Sequence, residues 1–198
     1  MLSYYIFYKP YQVLSQFSAE GDKQTLAHFF KGLPKDVYPV GRLDYDSEGL
    51  LLLTNDKALN HQLTEPRFAH ERTYCVQVEG AITKEALQQL SAGVSINING
   101  KQHRTLPALA QEWKGEPKVP ERYPPIRFRK DIPTSWISLT LTEGKNRQVR
   151  RMTAAAGFPT LRLIRFAIGE VTIKGLQPGD YAIAGEEIKA ELLRKAKQ

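Results

Sequence analysis

The stretch Gly41–Asp56, GRLDYDSEGLLLLTND, decides the fold of this chain. It places one acid, Asp44, between Arg42 and a run of four leucines. A short apolar run bounded by polar turn residues is typical of a buried strand. Glycines on both sides of the acid supply flexible turns. The pattern therefore predicts Asp44 on a loop at the mouth of a buried strand, where cationic neighbours would keep its carboxylate charged.

Hydrophobic patterning around this stretch predicts many short strands and a few helices. The predicted strands are Tyr4–Tyr8, Leu50–Leu53, Arg72–Glu79, Val94–Ile98, Thr105–Ala110, Ser135–Thr142, Leu161–Phe166 and Glu170–Lys174. The predicted helices are Thr25–Phe30, Lys57–Leu63 (capped by Asn55 or Asp56), Thr83–Leu90 and Arg147–Ala156, with a helix or loop near Ile188. Because the strands pair locally, the pattern predicts an α+β fold with a mixed, mainly antiparallel central sheet flanked by helices.

Length and composition indicate one globular protein of a reducing compartment. The 198 residues are 41% hydrophobic, and no apolar run reaches the roughly 18 residues of a membrane span. The single cysteine, Cys75, excludes an intramolecular disulfide. We expect a cytoplasmic protein with one domain over residues 1–198, and two lobes around a central cleft remain an open alternative.

Charge is concentrated in one segment of the chain. The formal net charge is +7, and residues 122–165 alone hold ten basic and two acidic residues. The aromatic residues Tyr123, Phe128 and Trp136 alternate with this charge. Basic side chains contact phosphates, and bases stack on aromatic and guanidinium planes. The segment therefore favours a nucleic-acid partner over the alternative of a solvated basic surface.

A proline-rich stretch near residues 117–133 holds five of the twelve prolines. It predicts a linker or an ordered loop that faces the nucleic acid. Three basic residues within it, Arg127, Arg129 and Lys130, are candidates for phosphate contacts.

Asp44 is the candidate catalytic acid, and Arg150 is its candidate partner. A carboxylate on such a loop can act as a nucleophile or as a base if it stays ionised. Arg147 and Arg150 lie three residues apart, so a helix would present both on one face. An arginine stays charged at working pH and would lower the pKa of the acid. The competing interpretation of Asp44 is an ordinary loop or capping aspartate.

Other chemistries have weaker support in the sequence. The four histidines are scattered and, with one cysteine, give no metal-ligand spacing, so no metal is expected. Asp46 and Glu48 near Asp44 make a paired-carboxylate glycosidase conceivable, but alternating residues project apart. No glycine-rich nucleotide-binding loop is present.

Four motifs resemble one enzyme family in the family's own order. They are GRLDYDSEGLLLLTND, Tyr8-Lys9-Pro10, Arg72-Thr73-Tyr74 and EGKNRQVRRMTAAAGFPTLRLIR from Glu143 to Arg165. Together they resemble the RsuA/RluB/RluE/RluF family of ribosomal RNA pseudouridine synthases, from about Ile6 to about Ile188. The block from Ile132 to Arg165 most closely resembles the members that act on 23S, large-subunit ribosomal RNA.

The resemblance implies a role for particular residues of this chain. The family's catalytic aspartate corresponds to Asp44, its active-site tyrosine to Tyr74, and its basic partner of the aspartate to Arg150. The apolar residue against the uracil ring corresponds to Leu163. We expect further basic residues to contact phosphates or to support the site; they are Arg42, Lys145, Arg147, Arg151 and Arg165.

The activity implied by the resemblance is conversion of uridine to pseudouridine without a cofactor. Nothing in the sequence requires an oligomer, so we expect a monomer. Asp44 would attack the ribose at C1′ or remove a proton at C2′, and the sequence leaves both open. Many relatives begin with a small S4 RNA-binding domain, which this sequence lacks; RNA choice then rests on the catalytic domain, or an N-terminal segment is missing. Two alternatives stay open: action on small-subunit or transfer RNA, and a non-catalytic RNA-binding module for ribosome assembly.

Overall fold

A computed structural model of the chain describes residues 1–127 and 129–194. Within them the strands are β1 (Tyr4–Lys9), β2 (Val13–Leu14), β3 (Gln24–Thr25), β4 (Tyr38–Pro39), β5 (Glu48–Thr54), β6 (Arg72–Glu79), β7 (Ser95–Ile98), β8 (Lys101–Arg104), β9 (Leu109–Glu112), β10 (Thr134–Leu141), β11 (Thr160–Ile168), β12 (Val171–Thr172) and β13 (Tyr181–Ala184). The α-helices are α1 (Lys57–Thr64), α2 (Lys84–Ala92), α3 (Gln148–Ala155) and α4 (Ile188–Leu193). Short 3₁₀ turns cover Leu26–His28 and Pro66–Phe68.

The chain folds as two compact units. The first unit comprises residues 1–70 and the described residues from Ile164 onward, and the second comprises Glu71–Leu163. Strand β11 begins in the second unit and ends in the first. No helix within residues 1–127 and 129–194 is long and apolar enough to cross a membrane.

The first unit is built around β5, the strand that the leucine run predicted. All seven residues of β5 are buried. Strand β5 pairs with β1 in antiparallel orientation and with β11 in parallel orientation, and β13 covers the other edge of β1. Leu51 and Leu53 project from one face of β5 onto Phe7, Leu26 and neighbouring aromatic rings. A strand with neighbours on both edges and apolar residues on both faces explains the uninterrupted leucines.

The second unit consists of an antiparallel sheet with two helices and a hairpin. Strand β10 lies between β6 and β9, with antiparallel pairing on both edges. Helix α2 begins at Thr83, whose side chain accepts a hydrogen bond from the Ala86 amide. The core contains residues from β6, β10, α2, α3 and the first part of β11, including Ile137, Met152 and Leu163. The α+β prediction is confirmed in both units.

Several secondary-structure predictions differ from the structure in detail. Only a 3₁₀ turn at Leu26–His28 forms within the predicted helix Thr25–Phe30, and only Val171–Thr172 of the predicted strand Glu170–Lys174 is strand. Of the strand expected over Thr105–Ala110, only Leu109 and Ala110 lie in a strand, β9, and β8 begins directly after the turn at Asn99-Gly100. Both turn residues have positive φ, 51° and 82°, which is the geometry of a two-residue hairpin. Two hydrogen bonds between Thr105 and Val94 close the open end of the hairpin: the Thr105 amide donates to the Val94 carbonyl and the Thr105 hydroxyl accepts from the Val94 amide, both at 2.9 Å. The next strand, β9, begins at Leu109. The start of helix α3 also differs from the prediction, because Arg147 lies outside the helix.

The edge strand β13 was not predicted. Its four residues alternate between exposed and half-buried, and Ile183 is 73% exposed. Such a short strand at a sheet edge has too few buried positions to give a clear hydrophobic pattern.

Candidate active site

Asp44 lies on a half-buried loop of the first unit, between Gly41 and β5. The Ser15 hydroxyl holds Leu43 by donating to its carbonyl at 2.9 Å and accepting from its amide at 3.1 Å. The Gln12 amide donates to the Tyr45 carbonyl at 2.9 Å, and the Ser47 amide donates to the Asp44 carbonyl at 3.0 Å. The loop backbone is therefore fixed on both sides of the acid.

Two buried cations lie beside the start of β5. Lys9, at the end of β1, is fully buried, and its Nζ donates to the carbonyls of Val13 at 2.6 Å and Pro10 at 2.9 Å. Gly49 pairs with Lys9 on one side and with Arg165 of β11 on the other. A Cβ on Gly49 would lie 2.3 Å from the Arg165 carbonyl oxygen, so only glycine permits this approach of β11.

Lys9 belongs to a cluster of opposite charges, which we call the Lys9 cluster. Burial lowers the pKa of Lys9 from 10.5 to about 7. The carboxylates of Glu48, Asp46 and Asp44 raise this pKa in part, and the Arg165 guanidinium lowers it further. Asp44 therefore lies within the electrostatic field of a buried amine. A single lysine before a proline is no sequence sign of such burial.

Arg165 fits only one of the two roles expected for it, contact with RNA phosphates or support of the site. The RNA contact is wrong, because its side chain is only 4% exposed. Its Nε donates to the Leu50 carbonyl at 2.7 Å, which ties β11 to β5 behind the Asp44 loop. A buried guanidinium cannot meet a phosphate backbone, so Arg165 supports the loop instead. Arg42, by contrast, is exposed on that loop.

The second unit holds the other predicted residues. Tyr74 lies half-buried on β6, opposite Leu139 of β10. Its ring packs against the apolar core that contains Leu163, which is 5% exposed. The structure thus brings Tyr74 and Leu163 into one apolar cluster, although they are far apart in sequence.

Helix α3 carries Arg150, which is half-buried. The helix buries its opposite side through Gln148, Val149, Met152 and Thr153. Ahead of α3, the Gln148 side chain donates to Glu143 at 2.6 Å and accepts from the Lys145 amide at 2.9 Å. These bonds fix the loop that leads into the helix.

The prediction that Arg147 shares a helical face with Arg150 is wrong. Arg147 precedes α3 and has a left-handed backbone, with φ of 50° and ψ of 34°. The helix begins one residue later, at Gln148, because the left-handed backbone of Arg147 stands outside the helical range. Arg147 is instead exposed, at the entrance to the helix.

Most of the other predicted RNA contacts are at the surface of the second unit. Those with exposed side chains are Arg127, Arg129, Lys130 and Lys145. Arg129 donates to Glu79 at 3.1 Å, and Arg151 is half-buried and donates to Asn146 at 3.3 Å and to the Asn97 carbonyl. Lys145 lines a groove of about 480 Å³ together with Lys101 and His103 of the β7–β8 hairpin. Phe128 of the basic segment lies outside the described residues.

A profile for RNA pseudouridylate synthases matches residues 3–155, which include Asp44, Tyr74 and Arg150. The chain belongs to the RNA pseudouridylate synthase family. It is 54% identical to the ribosomal large subunit pseudouridine synthase E of Xanthomonas axonopodis pv. citri, over 86% of this chain and 87% of that protein. The synthase E of Vibrio vulnificus is 51% identical, over 89% of this chain and 72% of its own length.

More distant members of the family match as well. The ribosomal large subunit pseudouridine synthase B of Bacillus subtilis is 36% identical, over 89% of this chain and 66% of that protein. A crystal structure of a pseudouridylate synthase has a TM-score of 0.78 at 27% identity, over 97% of this chain and 74% of that one. The resemblance expected from the sequence motifs is confirmed, including the similarity to the large-subunit member RluE.

Proposed function

We propose that this protein converts one uridine of 23S, large-subunit ribosomal RNA to pseudouridine, with Asp44 acting on the ribose. The observation that carries the proposal is the placement of Asp44: it lies in the family's Gly-Arg-Leu-Asp motif, on a loop fixed by hydrogen bonds and beside the Lys9 cluster. Relatives with 50–54% identity are named as large-subunit synthases, which supports this RNA over small-subunit or transfer RNA.

The reaction is an isomerisation that needs no external reactant. The bond between N1 of uracil and C1′ of ribose breaks, the base turns, and C5 bonds to C1′. The hydrogen on C5 is lost to solvent or a base while N1 gains a proton, so atoms and charge balance. Asp44 starts this sequence as a nucleophile at C1′ or as a base at C2′. Either role requires an ionised carboxylate.

The residues of the second unit are proposed to hold the uracil. Leu163 contributes an apolar surface and Tyr74 an aromatic face, and both belong to one packed cluster, so their positions vary little. Burying a flat base between apolar and aromatic groups offsets the few kcal/mol that its extrusion from an RNA stack costs. Arg150 is proposed to pair with Asp44 during the reaction and to orient its carboxylate, since a guanidinium fixes direction as well as charge.

Exposed basic side chains are proposed to bind the phosphate backbone around the target. On the loop that carries Asp44, this role falls to Arg42; in the second unit it falls to Arg127, Arg129, Lys130, Lys145, Arg147 and Arg151. Each phosphate contact releases counterions, so binding weakens as salt rises. We further propose that one catalytic domain, comprising both units, works as a monomer in the cytoplasm without a cofactor.

Purified protein and an unmodified 23S transcript test the proposal directly. Pseudouridine is detected by carbodiimide modification followed by primer extension. Wild type should modify one position, Asp44→Asn should modify none, and Asp22→Asn, at an exposed aspartate of the same unit, should retain most turnover as a matched control. If the protein only binds RNA, neither wild type nor either variant will form pseudouridine. Equal turnover by Asp44→Asn would remove Asp44 from the chemistry.

A further inference from the structure

Tyr123 is the most exposed aromatic side chain among the described residues. Its side chain is 90% exposed, compared with 59% for Tyr38, the second most exposed aromatic residue. It lies in the segment between β9 and β10, within the proline-rich stretch. Its surface is almost entirely open to solvent, so the faces of the ring are accessible to a partner.

The backbone around Tyr123 is nevertheless held in place. The Arg122 Nε donates to the Pro124 carbonyl at 2.8 Å and so bridges the residues on either side of the tyrosine. The segment is also tied at both ends, by the Trp113 amide to the Trp136 carbonyl and by the Gly80 amide to the Pro133 carbonyl. An exposed ring on a restrained backbone loses little conformational entropy when a partner binds.

The same segment is attached to the strand that carries Leu163. Arg162, which is 6% exposed, donates from its Nη2 to the Pro120 carbonyl at 2.8 Å. Arg162 immediately precedes Leu163 on β11, and both belong to the second unit. The strand proposed to contact the target uracil therefore also positions the segment that displays Tyr123.

The charge around Tyr123 selects the kind of partner. Residues 114–133 contain six basic and three acidic residues, and Arg122 is the immediate neighbour of the tyrosine. We propose that Tyr123 is a stacking platform for an unpaired base of the ribosomal RNA, near the uridine that is modified. This inference rests on the proposed function and adds a determinant of RNA choice. Base stacking on an aromatic ring discriminates single-stranded from duplex RNA, which phosphate contacts alone do not.

Binding of two RNA probes to the full chain tests the inference. One probe is a fluorescent single-stranded oligouridylate, and the other is a blunt RNA duplex of the same length. Tyr123→Ala should raise the Kd for the single strand about 5- to 100-fold and change the Kd for the duplex less than about twofold. Tyr123→Phe and Tyr123→Trp should bind the single strand as wild type does, because both keep an aromatic face. Tyr38→Ala is the matched control and should bind both probes as wild type does.

A salt titration separates stacking from charge. Tyr123→Ala should keep the slope of log Kd against log salt, whereas Arg127→Gln should reduce it by about 0.7 if one phosphate contact is lost. The inference would be overturned if Tyr123→Ala bound the single strand as tightly as wild type. It would also be overturned if Tyr123→Phe raised the Kd for the single strand as much as Tyr123→Ala does.

Turnover of wild type on a 23S transcript, measured in parallel, separates the two proposals. If wild type turns over the transcript and Tyr123→Ala binds the single strand normally, the protein is an enzyme and Tyr123 has no stacking role. Absence of turnover together with the expected binding loss would remove the assignment and support a stacking surface.

Discussion

Replacing Lys9 by methionine should change how the free energy of unfolding depends on pH. Lys9 is fully buried, and burial lowers its pKa from 10.5 to about 7. In the unfolded chain the amine binds its proton more tightly, so unfolding takes up a proton between these two pKa values. The stability of wild type relative to Lys9→Met must therefore rise as pH rises from about 7 towards 10.5.

The size of the effect follows from the shift in pKa. A shift from 10.5 to about 7 corresponds to about 5 kcal/mol between the two protonation states. This is the full cost of burying the charged amine, and it applies below about pH 7. Between about pH 6 and about pH 9.5, linkage predicts a gain of about 3 kcal/mol for wild type relative to Lys9→Met. Loss of the hydrogen bonds to Val13 and Pro10 lowers the free energy of unfolding of Lys9→Met by the same amount at every pH. It therefore does not change how the difference between the two proteins depends on pH.

Urea unfolding of both proteins at a series of pH values measures this difference. The two proteins differ only at residue 9, so the pH dependence of the difference between them reports the titration of Lys9. Lys31→Met removes an exposed lysine and should show no such slope. A difference between wild type and Lys9→Met that is constant from pH 6 to 9.5 would refute the argument that Lys9 is a desolvated amine.

Three further predictions concern the site and its support. Arg150→Ala should lower turnover about a hundredfold, and Arg150→Lys should restore it only in part; full activity with lysine would contradict an orienting role for the guanidinium. Gly49→Ala should lower the free energy of unfolding by about 2 to 4 kcal/mol, because its Cβ would clash with the Arg165 backbone. Gly32→Ala shares the positive φ but meets nothing within 4 Å, so urea unfolding should show a loss of only about 1 kcal/mol. Arg127→Gln should weaken binding of the 23S transcript most at low salt, and an unchanged salt dependence would place Arg127 outside the RNA interface.

The elements that the sequence predicted well have strong local signals. The leucine run predicted a buried strand and lies within β5, and β6 matches the bounds predicted for Arg72–Glu79. Helix α1 begins at Asp56, one of the two predicted caps, whose carboxylate accepts from the Leu59 amide. Periodicity and capping act over a few residues, so the sequence carries them directly.

The errors arise where long-range contacts decide the structure. Arg165 is buried because β11 pairs with β5 from across the chain, and this contact has no local sequence signature. The motif resemblance identified the candidate residues of the site, but it gave no sign that Lys9 and Arg165 form a buried charge cluster beside Asp44. The close approach at Gly49 could have been suspected from a glycine within an otherwise buried strand.

Pseudouridine mapping of large-subunit ribosomal RNA from cells that lack this protein tests the central claim most directly. The cells are complemented with wild type or with Asp44→Asn, and equal amounts of folded protein are verified. We predict that one pseudouridine disappears in the deletion, returns with wild type and stays absent with Asp44→Asn. Restoration by Asp44→Asn, or an unchanged modification pattern in the deletion, would contradict the assignment of Asp44 as the catalytic acid of a large-subunit synthase.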